Sequence, residues 1–428
     1  MANSRADLTP SSSLPIAYFA LSHLSLAAGL LVLVVQPALP GGFFYHPKMM
    51  ALVHVVTLTW LTGSIFGAFY IVGPLVLRLP MPVRAADWTA FGAFLVGVLG
   101  MIPHFWMGEY VGMLWGAYPI TGAAAWVAAR AWRGLPAAPV PWPIKLHVGL
   151  AFANFLAAAT LGILIGLDRT RGGFGFAPLA AAYAHAHLAA VGWVTLMVVG
   201  IAYRLIPMML PAAMPEGGRL ARSAIFLEAG LAVVVWALLA QSPWLPAGAV
   251  LITAGLGSFV VEIRRALRHR QPRPPTLPPR DWSTWQTHGA LLWLIVAVGL
   301  GLVLSVGGGA ASVPLMWLYG VAGLVGFLAQ IVAGIQGRLV PLYAWYRAMA
   351  RRGGAPPARS AHSLPSVPLA RFTFLTWSGG VPLLAWGLAA QQPAVISLGA
   401  VLLLCGVAAG GAHLLHMLRG AVAGSRSG

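Results

Sequence analysis

Long apolar segments recur along the whole chain, and they constrain the fold more than any other feature. A helix needs about 20 apolar residues to cross the hydrocarbon core of a bilayer. The chain of 428 residues is 59% hydrophobic and only 8% charged, which lies outside the range of soluble proteins. It contains about twelve segments of spanning length, roughly 14–36, 48–74, 86–103, 107–130, 144–167, 178–209, 221–241, 244–263, 285–306, 313–341, 368–390 and 393–418. The sequence therefore predicts an all-α membrane protein with about twelve transmembrane helices, and it excludes a soluble enzyme.

The basic residues lie in the loops between these segments, so the net charge of +18 does not indicate a nucleic-acid-binding face. The loops after even-numbered segments carry most of the arginines. Because cytoplasmic loops are enriched in Lys and Arg, we expect both termini in the cytoplasm of a bacterial-type inner (plasma) membrane. The chain then forms one polytopic domain, 1–428, in the lipid bilayer. Its expected cytoplasmic parts are the tails 1–13 and 419–428 and the linkers 264–284 and 345–367. A homo-oligomer is compatible with the sequence.

An internal repeat organises the segments. A shift of 133 residues places five residues of the second segment on identical residues of the sixth, namely His54, Trp60, Gly67, Tyr70 and Pro74 on His187, Trp193, Gly200, Tyr203 and Pro207. A further shift of 134 places Gly200, Arg204, Leu205 and Pro207 on identical residues of the tenth segment, where Val321 replaces the histidine. The repeat predicts three four-helix units related by pseudo-threefold symmetry.

Histidines at one depth in the second and sixth segments are candidate haem ligands. Counting from Pro47 and Pro178, His54 and His187 lie roughly 10–13 Å along their helices. Neutral imidazoles can hold haem iron in apolar surroundings without burying a charge. His185 lies about 200° around the helix from His187 and would serve a separate site. The alternative for each histidine is a structural hydrogen bond to a neighbouring helix.

Two of these segments resemble a known family. HVVTLTWLTGSIFGAFYIVGP and HAHLAAVGWVTLMVVGIAYRLIP are similar to the second helix and the His-x-His helix of subunit I in haem-copper oxidases of the C family and nitric oxide reductases. The resemblance implies a haem-copper oxidase subunit I-like fold and haem b, either one haem or two. It also implies that His187 and His54 hold a low-spin haem while His185 holds a high-spin haem.

The seventh segment, ARSAIFLEAGLAVVVWALLAQ, departs from the family because it lacks the His-His pair that binds copper or iron beside the high-spin haem. Bound copper is therefore uncertain, and so is enzymatic activity as an oxidoreductase. His23 is a weak candidate for a replacement metal ligand. Arg169 and Arg171 are candidate partners for haem propionates, with a solvated pair balancing Asp168 as the alternative.

The sequence thus predicts a membrane haem protein in electron transport or diatomic gas (nitric oxide or oxygen) chemistry. Its electron donor would be a periplasmic cytochrome or cupredoxin. The alternative is a non-catalytic carrier, sensor or assembly protein of the same fold that handles haem, copper or nitric oxide. No partner nucleic acid is expected.

Overall fold

The computed structural model describes residues 8–10, 12–41, 43–268, 270, 272, 281–307 and 313–423, and this part of the chain contains no strand. Its long helices, which we number in chain order, are α1 Leu14–Val35, α2 Pro47–Leu75, α3 Ala85–Met107, α4 Tyr110–Gly134, α5 Trp142–Arg171, α6 Pro178–Met209, α7 Ala221–Leu239, α8 Leu245–Leu267, α9 Trp282–Val306, α10 Val313–Arg351, α11 Val367–Ala389 and α12 Pro393–Ala423. Every predicted segment corresponds to one of these helices.

Eleven helices in the described ranges are long and apolar enough to cross a membrane. The remaining long helix is α4, whose 25 residues are less apolar because Tyr, Trp, Gly and Pro interrupt the aliphatic side chains. The protein is therefore a multi-pass membrane protein. Many large apolar side chains, including Trp115 and Ile295, are exposed on the outside of the bundle, as expected for a surface that faces lipid.

Two helices extend into the segments that the sequence predicted to be a linker and a tail. α10 continues to Arg351 and α12 continues to Ala423, since nothing in these stretches breaks a helix. Residues 1–7 and 11 of the amino-terminal tail, 273–280 of the first linker and 424–428 of the carboxyl-terminal tail lie outside the described residues.

Each helix packs on the next one along the chain, and α12 contacts α1, so the helices form a closed bundle. α2, α6 and α10 occupy the middle of the bundle, where each contacts the other two. Because these three helices are surrounded by the others, they can be buried on all sides. This is why their aromatic side chains Trp60, Trp193 and Phe327 are almost fully buried.

The three central helices share the same irregularity at repeat-related positions. Each contains an eight-residue π-helical stretch, at Val55–Thr62, Leu188–Thr195 and Ala322–Ala329. These stretches are separated by the predicted shifts of 133 and 134 residues, which supports the repeat register. π-Helical turns inside α-helices often mark functional positions.

Hydrogen bonds between the central helices follow the same repeat. The indole Nε1 of Trp60 donates to the carbonyl oxygen of Ala329 at 3.1 Å, so α2 is bonded to α10. The indole of Trp193 donates to Oγ1 of Thr62 at 3.1 Å, so α6 is bonded to α2. In α10 the corresponding residue is Phe327, whose side chain has no N–H group. Each tryptophan thus donates to the central helix that precedes its own in the rotational order, α6 to α2 and α2 to α10.

A buried carboxylate joins α2, α3 and α4. Asp87 has no exposed surface, and its oxygens accept hydrogen bonds from the Tyr70 hydroxyl and the Trp126 indole, both at 2.9 Å. The backbone N–H of Arg84 and the guanidinium of Arg130 also donate to Asp87, each at 2.6 Å. Side chains from α2, α3 and α4 therefore meet at one carboxylate, and its desolvation is offset by four donors.

We expect Asp87→Ala to destabilise the protein strongly. The substitution leaves the Arg130 guanidinium buried without its counter-ion, and removal of one partner from a buried pair costs about 3–5 kcal/mol. Thermal unfolding in detergent should show a clear decrease in Tm. Glu216→Ala removes an exposed loop carboxylate and serves as the matched control, with little expected change. Equal Tm values for the two variants would contradict the structural role of Asp87.

Candidate functional site

The three candidate histidines lie where the central helices change from α-helix to π-helix. His54 directly precedes the π-helical stretch of α2, and His187 directly precedes that of α6. His185 lies one half-turn before His187. All three imidazoles lie in the half of the bundle in which α2 and α6 begin, at Pro47 and Pro178.

His54 and His185 face each other across the interface between α2 and α6. Their ring centroids are 6.2 Å apart and their planes are inclined by 25°. The Nδ1 of His54 donates to the carbonyl oxygen of Met50 at 2.7 Å, and the Nδ1 of His185 donates to that of Ala158 at 2.9 Å. In the described part of the chain, neither Nε2 has a hydrogen-bond partner. Both Nε2 atoms therefore carry a free lone pair.

The centroid distance is the one expected for two imidazoles that bind one metal ion. A metal–imidazole bond is about 2 Å long and the ring centroid lies roughly 1 Å beyond the nitrogen, so two imidazoles on opposite sides of one ion have centroids about 6 Å apart. Metal-bound histidines usually donate their other N–H to a carbonyl or carboxylate, as both rings do here. The donor set and its spacing therefore suit an iron held from two sides.

The sequence paired His54 with His187, whereas in the structure the imidazole next to His54 is that of His185. The reason is the rotational relation between the repeats. A rotation that carries α2 onto α6 also carries α6 onto α10. Since His54 points from α2 towards α6, its repeat counterpart His187 points from α6 towards α10.

A second pair repeats the first at the interface between α6 and α10. The rings of His187 and Tyr319 have centroids 6.2 Å apart and planes inclined by 25°, the same values as for the first pair. The Nδ1 of His187 donates to the carbonyl oxygen of Tyr183 at 2.8 Å. Its Nε2 accepts a hydrogen bond from the Tyr319 hydroxyl at 3.1 Å.

Tyr319 is the repeat counterpart of His185, 134 residues further along the chain. Sequence reasoning missed Tyr319, although an extension of the repeat alignment to His185 would have identified it. At the third interface, between α10 and α2, the corresponding residues are Val321 and Leu52, which cannot bind a metal. One arrangement thus occurs with three different pairs of side chains.

Aromatic and small residues fix the position of the first pair. Phe105 of α3 stacks on the His54 ring with centroids 4.5 Å apart. Gly162 of α5 lies against His185, and a Cβ atom at this position would come within 3.0 Å of the imidazole. Glycine at 162 therefore leaves the space in which the ring can lie beside α5.

The two outer arginines end α5, and both are exposed. The guanidinium of Arg169 lies over the rings of Tyr45 and Tyr110, and it donates to the Tyr45 hydroxyl at 3.3 Å. The carboxylate of Asp168 accepts backbone hydrogen bonds from residues 174–176 instead of pairing with an arginine. Arg169 is thus anchored at the outer surface of the site, while Arg171 is exposed without such contacts.

His23 lies apart from the three candidate ligands. Its ring contacts Trp60 edge to face with centroids 4.9 Å apart, and its Nδ1 donates to the carbonyl oxygen of Phe19 at 2.9 Å. Within the described ranges no group of three or more His, Cys, Asp or Glu side chains is arranged to hold a metal ion. A haem iron needs only one or two protein ligands. Comparison with known protein families and with curated proteins finds no match to this chain.

Proposed function

We propose that the protein is a membrane haem b protein in which His54 and His185 hold one haem iron between α2 and α6. The observation that carries this proposal is the pair of imidazoles at ligand spacing, each with Nδ1 donating to a carbonyl and Nε2 free. Haem iron held by two imidazoles transfers single electrons, because no coordination position remains for a substrate. The chain contributes the two ligands, and Phe105 and the surrounding helices keep the rings in place.

The second pair supports a further role in diatomic gas chemistry. His187 is a single imidazole that faces a phenol. If its Nε2 exchanged the hydrogen bond from Tyr319 for an iron, that iron would keep one position for a gas molecule. The Tyr319 hydroxyl could then donate a hydrogen bond to this gas. We propose this interface as the place of a second haem. The non-catalytic alternative, a carrier or sensor, uses the same two interfaces and differs only in the absence of turnover.

The proposed fold is that of a haem-copper oxidase subunit I-like protein with three four-helix units and pseudo-threefold symmetry. The closed helix bundle, the three π-helical stretches and the two equivalent ring pairs support this assignment. The proposed location is a bacterial-type inner membrane with cytoplasmic termini. Arg169 and Arg171 would then face the periplasm, where a cytochrome or cupredoxin donor and the propionates of a haem would meet them.

Absorption spectra of the purified protein test the proposal. We expect haem b with sharp low-spin bands after reduction by dithionite, because two imidazoles produce a strong ligand field. Carbon monoxide should leave this component unchanged and should shift only a haem held by His187. Protein from haem-replete cells that contains no haem would refute the proposed function.

A further inference from the structure

A cavity with a mixed polar and apolar lining lies between α1, α2 and the last four helices, outside the candidate haem sites. It leaves about 30 Å³ for the centres of water molecules. Its lining includes His23, Gln286, Gln336, Ala333, Gly337 and Trp377. The cavity extends from the first turns of α9 and α11 towards the middle of the bundle. These turns lie at the face that carries the arginine-rich loops, so this end of the cavity is the one closer to that face.

The repeat explains why a cavity exists in this unit. Ala333 and Gly337 of α10 correspond to Phe66 and Tyr70 of α2, and to Val199 and Tyr203 of α6. The four larger side chains are all buried and fill the first two units. In the third unit Ala333 has only a methyl group and Gly337 has only a hydrogen. Ser283 packs against Gly337, where a Cβ atom would meet its hydroxyl, and the remaining volume of the two larger side chains is left empty.

The cavity wall contains buried polar groups that lack partners. Both side-chain atoms of Gln286, Oε1 and Nε2, and the indole Nε1 of Trp377 have no hydrogen-bond partner among the described residues. Gln286 is 3% exposed and Trp377 is 1% exposed. Buried polar groups are almost always hydrogen-bonded, if not to protein then to ordered water. An amide with both atoms unsatisfied therefore indicates bound molecules that both donate and accept hydrogen bonds.

The inner end of the cavity is formed by His23 against Trp60. Because the Nδ1 of His23 donates to the carbonyl oxygen of Phe19, its Nε2 has a free lone pair. At the end nearer the arginine-rich loops, the Nε2 of His413 accepts a hydrogen bond from the backbone N–H of Ser366 at 3.0 Å. About 10–15 Å³ of space for its centre is enough to hold one water molecule, so the cavity has room for about two, and its unsatisfied polar atoms can bind them.

We propose that this cavity is a water-filled vestibule through which water and protons from the arginine-rich face reach His23 in the middle of the bundle. Gln286 and Trp377 bind the water molecules along the wall. Ala333 and Gly337 keep the space open. The proposal does not depend on haem binding.

Silver ions test the hydration of the cavity, since they are small enough to follow water and react with thiols. Cys405 is the single cysteine, so Cys405→Ser provides the background. In nanodiscs we expect a cysteine from Ala333→Cys to react at least about tenfold faster with Ag⁺ than one from Val199→Cys, its buried repeat counterpart. The fraction blocked is read by maleimide labelling after denaturation. Adding Gly337→Tyr together with Ser283→Gly, which makes room for the new Cβ atom, should reduce the rate at position 333 to that at position 199. Equal rates at positions 333 and 199 would overturn the proposal.

Hydrogen–deuterium exchange at the imidazole Cε1 provides a second measurement on the unmodified chain. This exchange requires water and a protonated ring, so it reports whether both reach a histidine. We expect His23 to exchange faster than His147, which has no exposed surface. Gly337→Tyr, again combined with Ser283→Gly, should slow the exchange of His23 and leave the exchange of His147 unchanged. Exchange of His23 as slow as that of His147, with no effect of Gly337→Tyr, would overturn the proposal.

Thermal unfolding of Gln286→Leu distinguishes a hydrated cavity from a dry one even if the cysteine variants fail to fold. In a dry cavity the leucine removes two unsatisfied polar atoms, and Tm should rise. In a hydrated cavity it removes hydrogen bonds to water, so Tm should stay the same or fall. A higher Tm would therefore contradict the proposal.

Discussion

His185→Ala should abolish the low-spin haem spectrum, and His54→Ala should have the same effect. Each substitution removes one of the two imidazoles whose rings lie 6.2 Å apart across the interface between α2 and α6. Loss of even an outer partner of a metal ligand weakens binding about 10–100-fold, so loss of the ligand itself should cost at least as much. Reduced-minus-oxidised spectra and the haem-to-protein ratio measure the effect.

His187→Ala is the matched control, because it changes the same helix two residues away. Its ring faces Tyr319 of α10 and does not contact the first pair, so the low-spin bands should remain. Only a component that reacts with carbon monoxide should disappear. If His187→Ala abolishes the low-spin bands and His185→Ala does not, the pairing across α2 and α6 is incorrect. If neither variant changes the bands, the haem is held elsewhere.

Tyr319→His should increase the low-spin haem signal per protein about twofold. The substitution converts the pair at the α6–α10 interface into a copy of the pair of histidines at the α2–α6 interface. The two pairs have the same centroid distance and the same inclination, so the new imidazole would lie at ligand spacing from His187. Haem content, the amplitude of the reduced low-spin bands and electron paramagnetic resonance of the oxidised protein provide the readouts.

Tyr319→Phe is the control, since it removes the hydroxyl but adds no ligand. We expect its low-spin signal to match that of the original protein. The third interface offers an independent check, because Leu52→His together with Val321→His should create a further site there. An unchanged low-spin signal in Tyr319→His, measured on protein that elutes as a folded species, would show that the two interfaces are not equivalent.

The sequence predicted the helices well because the signal for them is local. A membrane-spanning helix needs a certain length of apolar residues, and this length can be read directly from the chain. The repeat was predicted for a related reason. Identities such as Trp60 with Trp193 and Pro74 with Pro207 lie in register, and the structure has its π-helical stretches at the same spacing.

The residues missed by sequence reasoning share one property, which is that their roles depend on distant neighbours. Asp87 looks like an ordinary residue in the first turn of a helix, yet it accepts hydrogen bonds from side chains of two other helices. Tyr319 looks like one aromatic residue among many in an apolar segment. Gly337 and Ala333 look like helix-packing residues until their large repeat counterparts are compared with them.

The sequence by itself determined where the helices lie along the chain, the repeat register, and the histidines to consider. Only the tertiary structure decided that His54 faces His185, that His187 faces Tyr319, and that the third unit contains a cavity. A repeat alignment shows which residues are equivalent. In a rotational arrangement, equivalent residues lie at different but equivalent interfaces and therefore do not face each other. The two sides of one interface come from different repeat positions, so their pairing depends on how the helices are arranged around the bundle axis.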